Sequence, residues 1–201
     1  MEPTDLNMRA FDEAHRRRRA SRPGLPAIVK ATLGDLSGRR VLHVQCGSGE
    51  ASAELAEHGA VVTAIDPSEE MLEQARARWP KILWIQAEAQ ALPAELRRGR
   101  FDLVYSPEGV VQRLTDVEAW ARGLVAAVHE RGELLVFDDH PVALCIDPFE
   151  RWTRDYFAER LWRLGRIVTT LVGAGFRLEA LEEYPGPRHV PGTFLLYARR
   201  A

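Results

Sequence analysis

The sequence predicts an α/β fold with a doubly wound, mostly parallel sheet of seven strands that ends in an antiparallel hairpin. Short apolar runs alternate with helical patterns through most of the chain, which is typical of strand–helix–strand units. The last two runs are joined only by YPGPRHVPG at 184–192. Because this connection is too short for a crossover helix, the last two strands must be antiparallel.

The predicted elements follow one another in a regular order. The chain opens with an Arg-rich helix at 5–20, a break at 21–26 and a short helix at 26–34. The predicted strands are 40–45, 61–65, 82–86, 101–105, 133–137, 177–183 and 193–198. The helices between them are 50–58, 68–78, 116–128 and 161–174. The first five strands are continuous apolar runs, as expected for strands that are buried on both faces.

Length and composition indicate one globular domain. The chain has 201 residues, of which 46% are hydrophobic and 28% are charged. We expect a helical lid segment at 1–35 and a single domain at 36–201. A net charge of −2 gives no general attraction to nucleic acid or to an anionic membrane. With two cysteines, no leader-like segment and no apolar run of about 20 residues, we expect a cytoplasmic protein that does not enter a membrane.

The stretch VLHVQCGSGEAS at 41–52 has the pattern of a nucleotide-binding turn. An apolar strand stops at Gly47-Ser48-Gly49, and a helical pattern begins directly afterwards. Ligands of an open parallel sheet bind at the carboxyl ends of its strands. Gly47 and Gly49 let the backbone approach a ligand closely, and the helix N-terminus favours a negative group.

Two acidic residues strengthen this interpretation. Asp66 ends the second strand, 19 residues after Gly47, which is the usual spacing for an acid that binds ribose hydroxyls. It could instead serve only as a turn acid beside Ser68, which can cap the next helix. Glu88 follows the third strand, at the edge of the sheet where an adenine amino group would lie. Together with the loop, these acids favour an adenosyl-type ligand.

At this point the sequence resembles the class I S-adenosylmethionine-dependent methyltransferases, and more narrowly a bacterial small-molecule-type subgroup without a defined substrate. The segments that carry the resemblance are VLHVQCGSGEASAELAEHGAVVTAIDPSEEMLEQAR, IQAEAQALP and FDLVYSPEGVVQRL. The resemblance is strong over 36–140 and extends in outline over 161–200. It implies a Rossmann-like fold, S-adenosylmethionine as the cofactor and methyl transfer to a small molecule.

The resemblance also implies which residues bind the cofactor. They are His43, Gln45, Cys46, Gly47, Gly49, Asp66, Pro67, Met71, Glu88, Ala89, Ser106 and Pro107. In this interpretation the two glycines lie beside the methionine part of the cofactor and the acid of the second strand binds the ribose diol. The residues after the third strand contact the adenine, and those after the fourth strand face the methyl group.

The chain departs from the family pattern at two positions. His43 stands where the first strand usually carries an acid, and Gln45 stands where the loop usually carries its first glycine. Both positions keep their backbone contacts available. How the methionine ammonium is held is therefore left open by the sequence.

Three other functions are compatible with parts of the sequence. The loop GSGEAS is close to G-x-G-x-x-G/A, with Ser52 as its third member, which would suit a NAD(P)-dependent oxidoreductase; the chain has no Tyr-x-x-x-Lys pair to support it. The run HRRRR at 15–19 would suit an RNA methyltransferase, but SPEG at 106–109 matches a base-methylating motif only weakly. A small-molecule acceptor is favoured over nucleic acid, and a non-catalytic protein with this fold stays an alternative.

The acceptor side is predicted from the segments that surround the fifth strand. His140 follows two acids directly after that strand, and its imidazole makes it the predicted general base. No metal is expected, because Ser106 stands where metal-dependent relatives place an acid. In the insertion at 141–160, Phe149, Trp152 and Tyr156 are spaced to share a helix face, either for packing or as an aromatic wall of the acceptor pocket. The identity of the acceptor molecule and atom, and the oligomeric state, are not predicted.

Overall fold

The computed structural model of the chain describes residues 24–147, 151–159, 161–186 and 190–201. The predicted helix at 5–20 and its arginine run lie outside these ranges, as do most of the predicted lid segment and Phe149 of the predicted aromatic stripe. None of the helices in the described part of the chain has the length and apolar character that crossing a membrane requires.

The described ranges contain seven strands and five α-helices. The strands are β1 (Arg40–Val44), β2 (Val61–Asp66), β3 (Leu83–Gln86), β4 (Phe101–Ser106), β5 (Val128–Asp139), β6 (Phe176–Pro185) and β7 (Pro191–Arg200). The helices are α1 (Ala27–Leu33), α2 (Glu50–Glu57), α3 (Glu69–Arg78), α4 (Val117–Ala127) and α5 (Leu164–Ala174). Short 3₁₀ turns follow β4 and β5, at Val111–Arg113 and Pro141–Cys145.

The strands form one sheet in the order β3-β2-β1-β4-β5-β7-β6. The pairs from β3 to β5 are parallel, and β7 pairs antiparallel with both β5 and β6. The predicted fold is therefore confirmed, including the reversed strand of the C-terminal hairpin. The strand order reverses between β1 and β4, and this is the position at which open sheets of this kind bind ligands.

Apolar side chains cover both faces of the sheet. Along β1, Leu42 and Val44 face the layer of α4 and α5, while Val41 faces the layer of α1, α2 and α3. All three side chains are completely buried. The two layers pack the central strands on both faces, so the loops at the carboxyl ends of these strands start from well-packed positions.

Capping residues define where two of the helices begin. The Ser68 hydroxyl accepts a hydrogen bond from the N–H of Met71 at 3.3 Å, which confirms the predicted cap of α3. The Asp116 carboxylate accepts one from the N–H of Ala119 at 2.7 Å and caps α4 in the same way. The two caps fix where α3 begins after β2 and where α4 begins after β4.

The prediction placed the start of β5 too far along the chain. Residues 128–132 were expected to end a helix and form a turn, yet the strand begins at Val128, immediately after α4. The pairing of β4 with β5 is irregular between Phe101 and Leu103, and Arg131 adopts a left-handed backbone with φ 65°. The residues around this irregularity, at 129–131, are polar and partly or fully exposed, so the apolar run that indicates the strand begins only after them.

The predicted aromatic helix in the insertion is wrong for the described residues. Residues 151–159 contain no helix, and Trp152 forms an isolated antiparallel bridge with Ile146. Trp152 is 62% exposed, and Tyr156 lies in a turn, where its ring meets the edge of Phe157. Asp147 and Arg151 are joined by hydrogen bonds of both backbone N–H groups, from the N–H of Asp147 to the carbonyl of Arg151 and from the N–H of Arg151 to the carboxylate of Asp147. This pairing competes with the helix that the spacing suggested.

Candidate functional site

The glycine loop joins β1 to α2 through a chain of left-handed residues. Gln45, Gly47 and Gly49 have φ values of 48°, 58° and 93°. A Cβ on Gly49 would lie 2.6 Å from the ring of Trp84 and 3.0 Å from the Cβ of Ala75. The loop therefore packs directly on β3 and α3, and only a glycine fits at its second glycine position.

Asp66 ties the end of β2 to this loop. One carboxylate oxygen accepts a hydrogen bond from the N–H of Gly47 at 2.8 Å, and the other accepts one from the N–H of Ser68 at 2.9 Å. The side chain is nearly buried, with 8% of Asp66 exposed. A carboxylate oxygen has two lone pairs, so each oxygen keeps a further position for an incoming hydroxyl. The acid predicted to bind ribose is thus in direct contact with the predicted glycine loop.

His43 lies behind the glycine loop in a buried position. Its Nδ1 is 2.7 Å from the hydroxyl of Ser52 in the first turn of α2. The imidazole stacks on the ring of Tyr105 in β4, with ring centroids 5.0 Å apart. His43 therefore links β1, β4 and the start of α2, and it brings no carboxylate to the site.

A second carboxylate, Asp138, organises the loop that follows β4. It accepts four backbone hydrogen bonds, from the N–H groups of Gly109 at 2.6 Å, Val110 at 3.1 Å, Val111 at 2.8 Å and Asp139 at 2.7 Å. Burial away from water, followed by the charge of Asp139, raises the pKa of Asp138 to about 7, whereas the N–H donors oppose this shift. The sequence pointed to this acid only through its position at the end of β5.

His140 uses both of its ring nitrogens within the protein. Nδ1 accepts a hydrogen bond from the N–H of Val142 at 3.1 Å and caps the 3₁₀ turn at 141–145. Nε2 lies 2.9 Å from a carboxylate oxygen of Glu183 in β6, which places the ring proton on Nε2. Burial lowers the pKa of His140, and the charge of Glu183 partly opposes this shift. The role of His140 as a general base stays a prediction.

The other predicted cofactor residues differ in exposure. Cys46, Ala89, Ser106 and Pro107 are buried, Pro67 is half-buried, and Met71 and Glu88 are exposed. The buried hydroxyl of Ser106 has no hydrogen-bond partner in the described ranges. All these residues end or follow one of the strands β1 to β4, or lie in the first turn of α3. They therefore belong to one edge of the sheet. Within the described ranges, no group of three or more His, Cys, Asp or Glu residues is arranged to hold a metal ion.

Comparison with known proteins agrees with this fold and loop. A family model described as a methyltransferase domain matches residues 41–132. The crystal structure of an S-adenosylmethionine-dependent methyltransferase from Mesorhizobium loti superposes with a TM-score of 0.72 at 27% identity, over 85% of this chain and 95% of that one. A structure from Listeria monocytogenes described as a putative methyltransferase of the same kind gives a TM-score of 0.73 at 21% identity, over 86% and 94% of the two chains, which shows the fold alone.

Curated relatives match over a shorter part of the chain. An uncharacterized protein of Mycobacterium bovis is 42% identical over 91 residues, which is 43% of this chain and 32% of that protein. A ubiquinone biosynthesis O-methyltransferase of Bordetella avium is 33% identical over 108 residues, 52% of this chain and 44% of that protein. The chain thus spans less than half the length of these two relatives.

The strand order and the loop at its switch point define a nucleotide-binding α/β protein. In its domain match and its superposition the chain is similar to the S-adenosylmethionine-dependent methyltransferases, whose cofactor is S-adenosylmethionine. The site has two features that fit this cofactor: a carboxylate, Asp66, whose oxygens keep free lone pairs, and the buried hydroxyl of Ser106, which has no hydrogen-bond partner among the described residues.

Proposed function

We propose that the protein transfers the methyl group of S-adenosylmethionine to a small-molecule acceptor. The observation that carries this proposal is the hydrogen bond from the Gly47 N–H to Asp66, which joins the glycine loop to the ribose acid at the switch point of the sheet. When bound, the cofactor supplies an electrophilic methyl group on a positively charged sulfur. The protein supplies binding, orientation and exclusion of water.

In this proposal, the residues at the carboxyl ends of β1 to β4 have different roles. Asp66 accepts hydrogen bonds from the ribose hydroxyls, and Glu88 with Ala89 contacts the adenine. The backbone of the glycine loop, at Gly47 and Gly49, passes beside the methionine part. Ser106 and Pro107 face the methyl group from a loop that the buried Asp138 carboxylate holds through its backbone N–H groups. The fixed loop would restrict the direction from which an acceptor approaches the methyl group.

A small-molecule acceptor is supported by the names of relatives and by the charge of the chain. Two matched proteins are a ubiquinone biosynthesis O-methyltransferase and a malonyl-[acyl-carrier protein] O-methyltransferase. The net charge of −2 provides no general attraction to a polyanion. In the proposal, the segments 1–35 and 141–160 cover the acceptor. The described start of the second segment supports this, because its 3₁₀ turn at Pro141–Cys145 follows β5 directly.

Cofactor choice is the first point to test. Titration calorimetry should give binding heats with S-adenosylmethionine and with S-adenosylhomocysteine, and binding of NADH at least tenfold weaker. The oxidoreductase alternative predicts the reverse order. Folded protein that gives no heat with either adenosyl ligand at high micromolar concentration would refute the proposal.

For an oxygen or nitrogen acceptor, we propose that His140 removes the proton. Glu183 holds the Nε2 proton, so Nδ1 is the only basic nitrogen, and the acceptor would have to displace the N–H of Val142 from it. General-base catalysis contributes roughly 10²–10⁴ in rate. His140→Gln should therefore lower turnover at least tenfold and leave the affinity for S-adenosylhomocysteine unchanged.

The matched control for this variant is His58→Gln, because His58 is exposed at the end of α2 and lies at the opposite end of that helix from the glycine loop. The control should turn over at the wild-type rate. Turnover of His140→Gln within twofold of the wild type would show that His140 serves only to cap the turn at 141–145.

A further inference from the structure

Gln45 combines two unfavourable features at the end of β1. Its backbone is left-handed, with φ 48°, a conformation that costs a residue with a Cβ free energy and that glycine adopts readily. Its side-chain oxygen Oε1 is buried and has no hydrogen-bond partner in the described part of the chain. Glycine at this position would remove both features. A strained residue that also buries an unpaired polar atom is the kind of outlier that marks a ligand site.

The chemistry of the orphan atom restricts what it can bind. An amide oxygen only accepts hydrogen bonds, so its partner must be a donor. Gln45 lies two residues before Gly47, next to the part of the loop that passes the methionine end of the cofactor in the proposed function. In that end of the cofactor, the only group that donates hydrogen bonds is the ammonium. The nearby His43 is held by Ser52 and offers no carboxylate to this cation.

We propose that the side-chain oxygen of Gln45 accepts a hydrogen bond from the ammonium of the cofactor's amino-acid part, and that Gln45 makes binding selective for adenosyl ligands that carry this amine. The inference rests on the proposed function. It explains why a side chain is kept at a position whose backbone suits glycine. It also assigns a partner to the ammonium in a site that has a histidine on β1 instead of an acid.

Calorimetry with two ligands tests this contact. S-adenosylhomocysteine carries the amino-acid part, whereas 5′-methylthioadenosine lacks it. Gln45→Leu keeps the approximate volume of the side chain but removes its oxygen. It should therefore weaken the binding of S-adenosylhomocysteine roughly tenfold or more, and leave the affinity for 5′-methylthioadenosine within twofold of the wild type. Gln45→Glu keeps an acceptor at the same place and should bind S-adenosylhomocysteine within threefold of the wild type.

Gln45→Gly provides a check that does not depend on tolerance of a new side chain. Because this variant relieves the backbone strain, it should raise the melting temperature. It should also weaken the binding of S-adenosylhomocysteine by the same factor as Gln45→Leu. Unchanged or tighter binding of S-adenosylhomocysteine by Gln45→Gly, or equal weakening of both ligands by Gln45→Leu, would overturn the inference. Failure of the wild type to bind either ligand would refute the proposed function instead.

Discussion

Asp66→Ala should weaken the binding of S-adenosylhomocysteine by roughly ten- to a hundredfold. A hydrogen bond to a charged group contributes about 1.5–3 kcal/mol net, and 1.4 kcal/mol corresponds to a factor of ten in affinity. The variant loses the proposed ribose bonds, and it also loses the bond that holds the N–H of Gly47. The fold should survive, since the two apolar layers on the sheet do not depend on this carboxylate. Titration calorimetry on the folded variant measures the change.

Two comparisons separate ribose binding from loop support. Asp35→Ala removes another carboxylate that accepts a backbone N–H, from Ser37 at 2.9 Å, in an exposed turn before β1. It should leave the affinity unchanged. The second comparison uses 5′-methylthioadenosine and its 2′-deoxy analogue, whose affinities should differ in the wild type and become similar in Asp66→Ala. An equal difference in both proteins would assign Asp66 to loop support alone.

The sequence predicted the parts of the site that lie close together along the chain. The glycine loop and its flanking strand and helix are local features, because a strand end, two glycines and a helix start occupy about ten residues. Asp66 was found through its spacing of 19 residues, a distance that the strand–helix–strand unit fixes. The left-handed φ of Gln45 could also be anticipated, since nucleotide-binding turns of this kind usually carry a glycine at this position.

The support of the loop after β4 could not be predicted in the same way. Asp138 lies 27 to 29 residues from the three N–H groups of that loop. Their contact depends on the parallel register of β4 with β5, in which Ser106 pairs with Val136. A sequence shows that an acid ends a strand, but it does not show which backbone groups of the neighbouring strand end lack partners. Similarly, the spacing of Trp152 and Tyr156 could not reveal the hydrogen bonds that join Asp147 to Arg151.

Gly49→Ala should lower the free energy of unfolding by about 2–5 kcal/mol. The left-handed backbone, with φ 93°, costs an alanine roughly 1–2 kcal/mol, and forcing a Cβ into a packed site costs about 1–3 kcal/mol more. The new Cβ would lie 2.6 Å from the ring of Trp84, which cannot move easily because its Nε1 donates to the carbonyl of Trp79 at 3.0 Å. Urea denaturation followed by tryptophan fluorescence measures this loss.

Two other glycines divide this effect into its two causes. Gly38 also has a left-handed backbone, with φ 73°, but nothing lies within 4 Å of an added Cβ. Gly38→Ala should therefore lower the free energy of unfolding by only about 1–2 kcal/mol. Gly165 in α5 has neither feature, and Gly165→Ala should be as stable as the wild type or more stable by up to about 1 kcal/mol. If Gly49→Ala loses no more stability than Gly38→Ala, the ring of Trp84 gives way. The close packing of the glycine loop on β3 would then not be what requires glycine at this position.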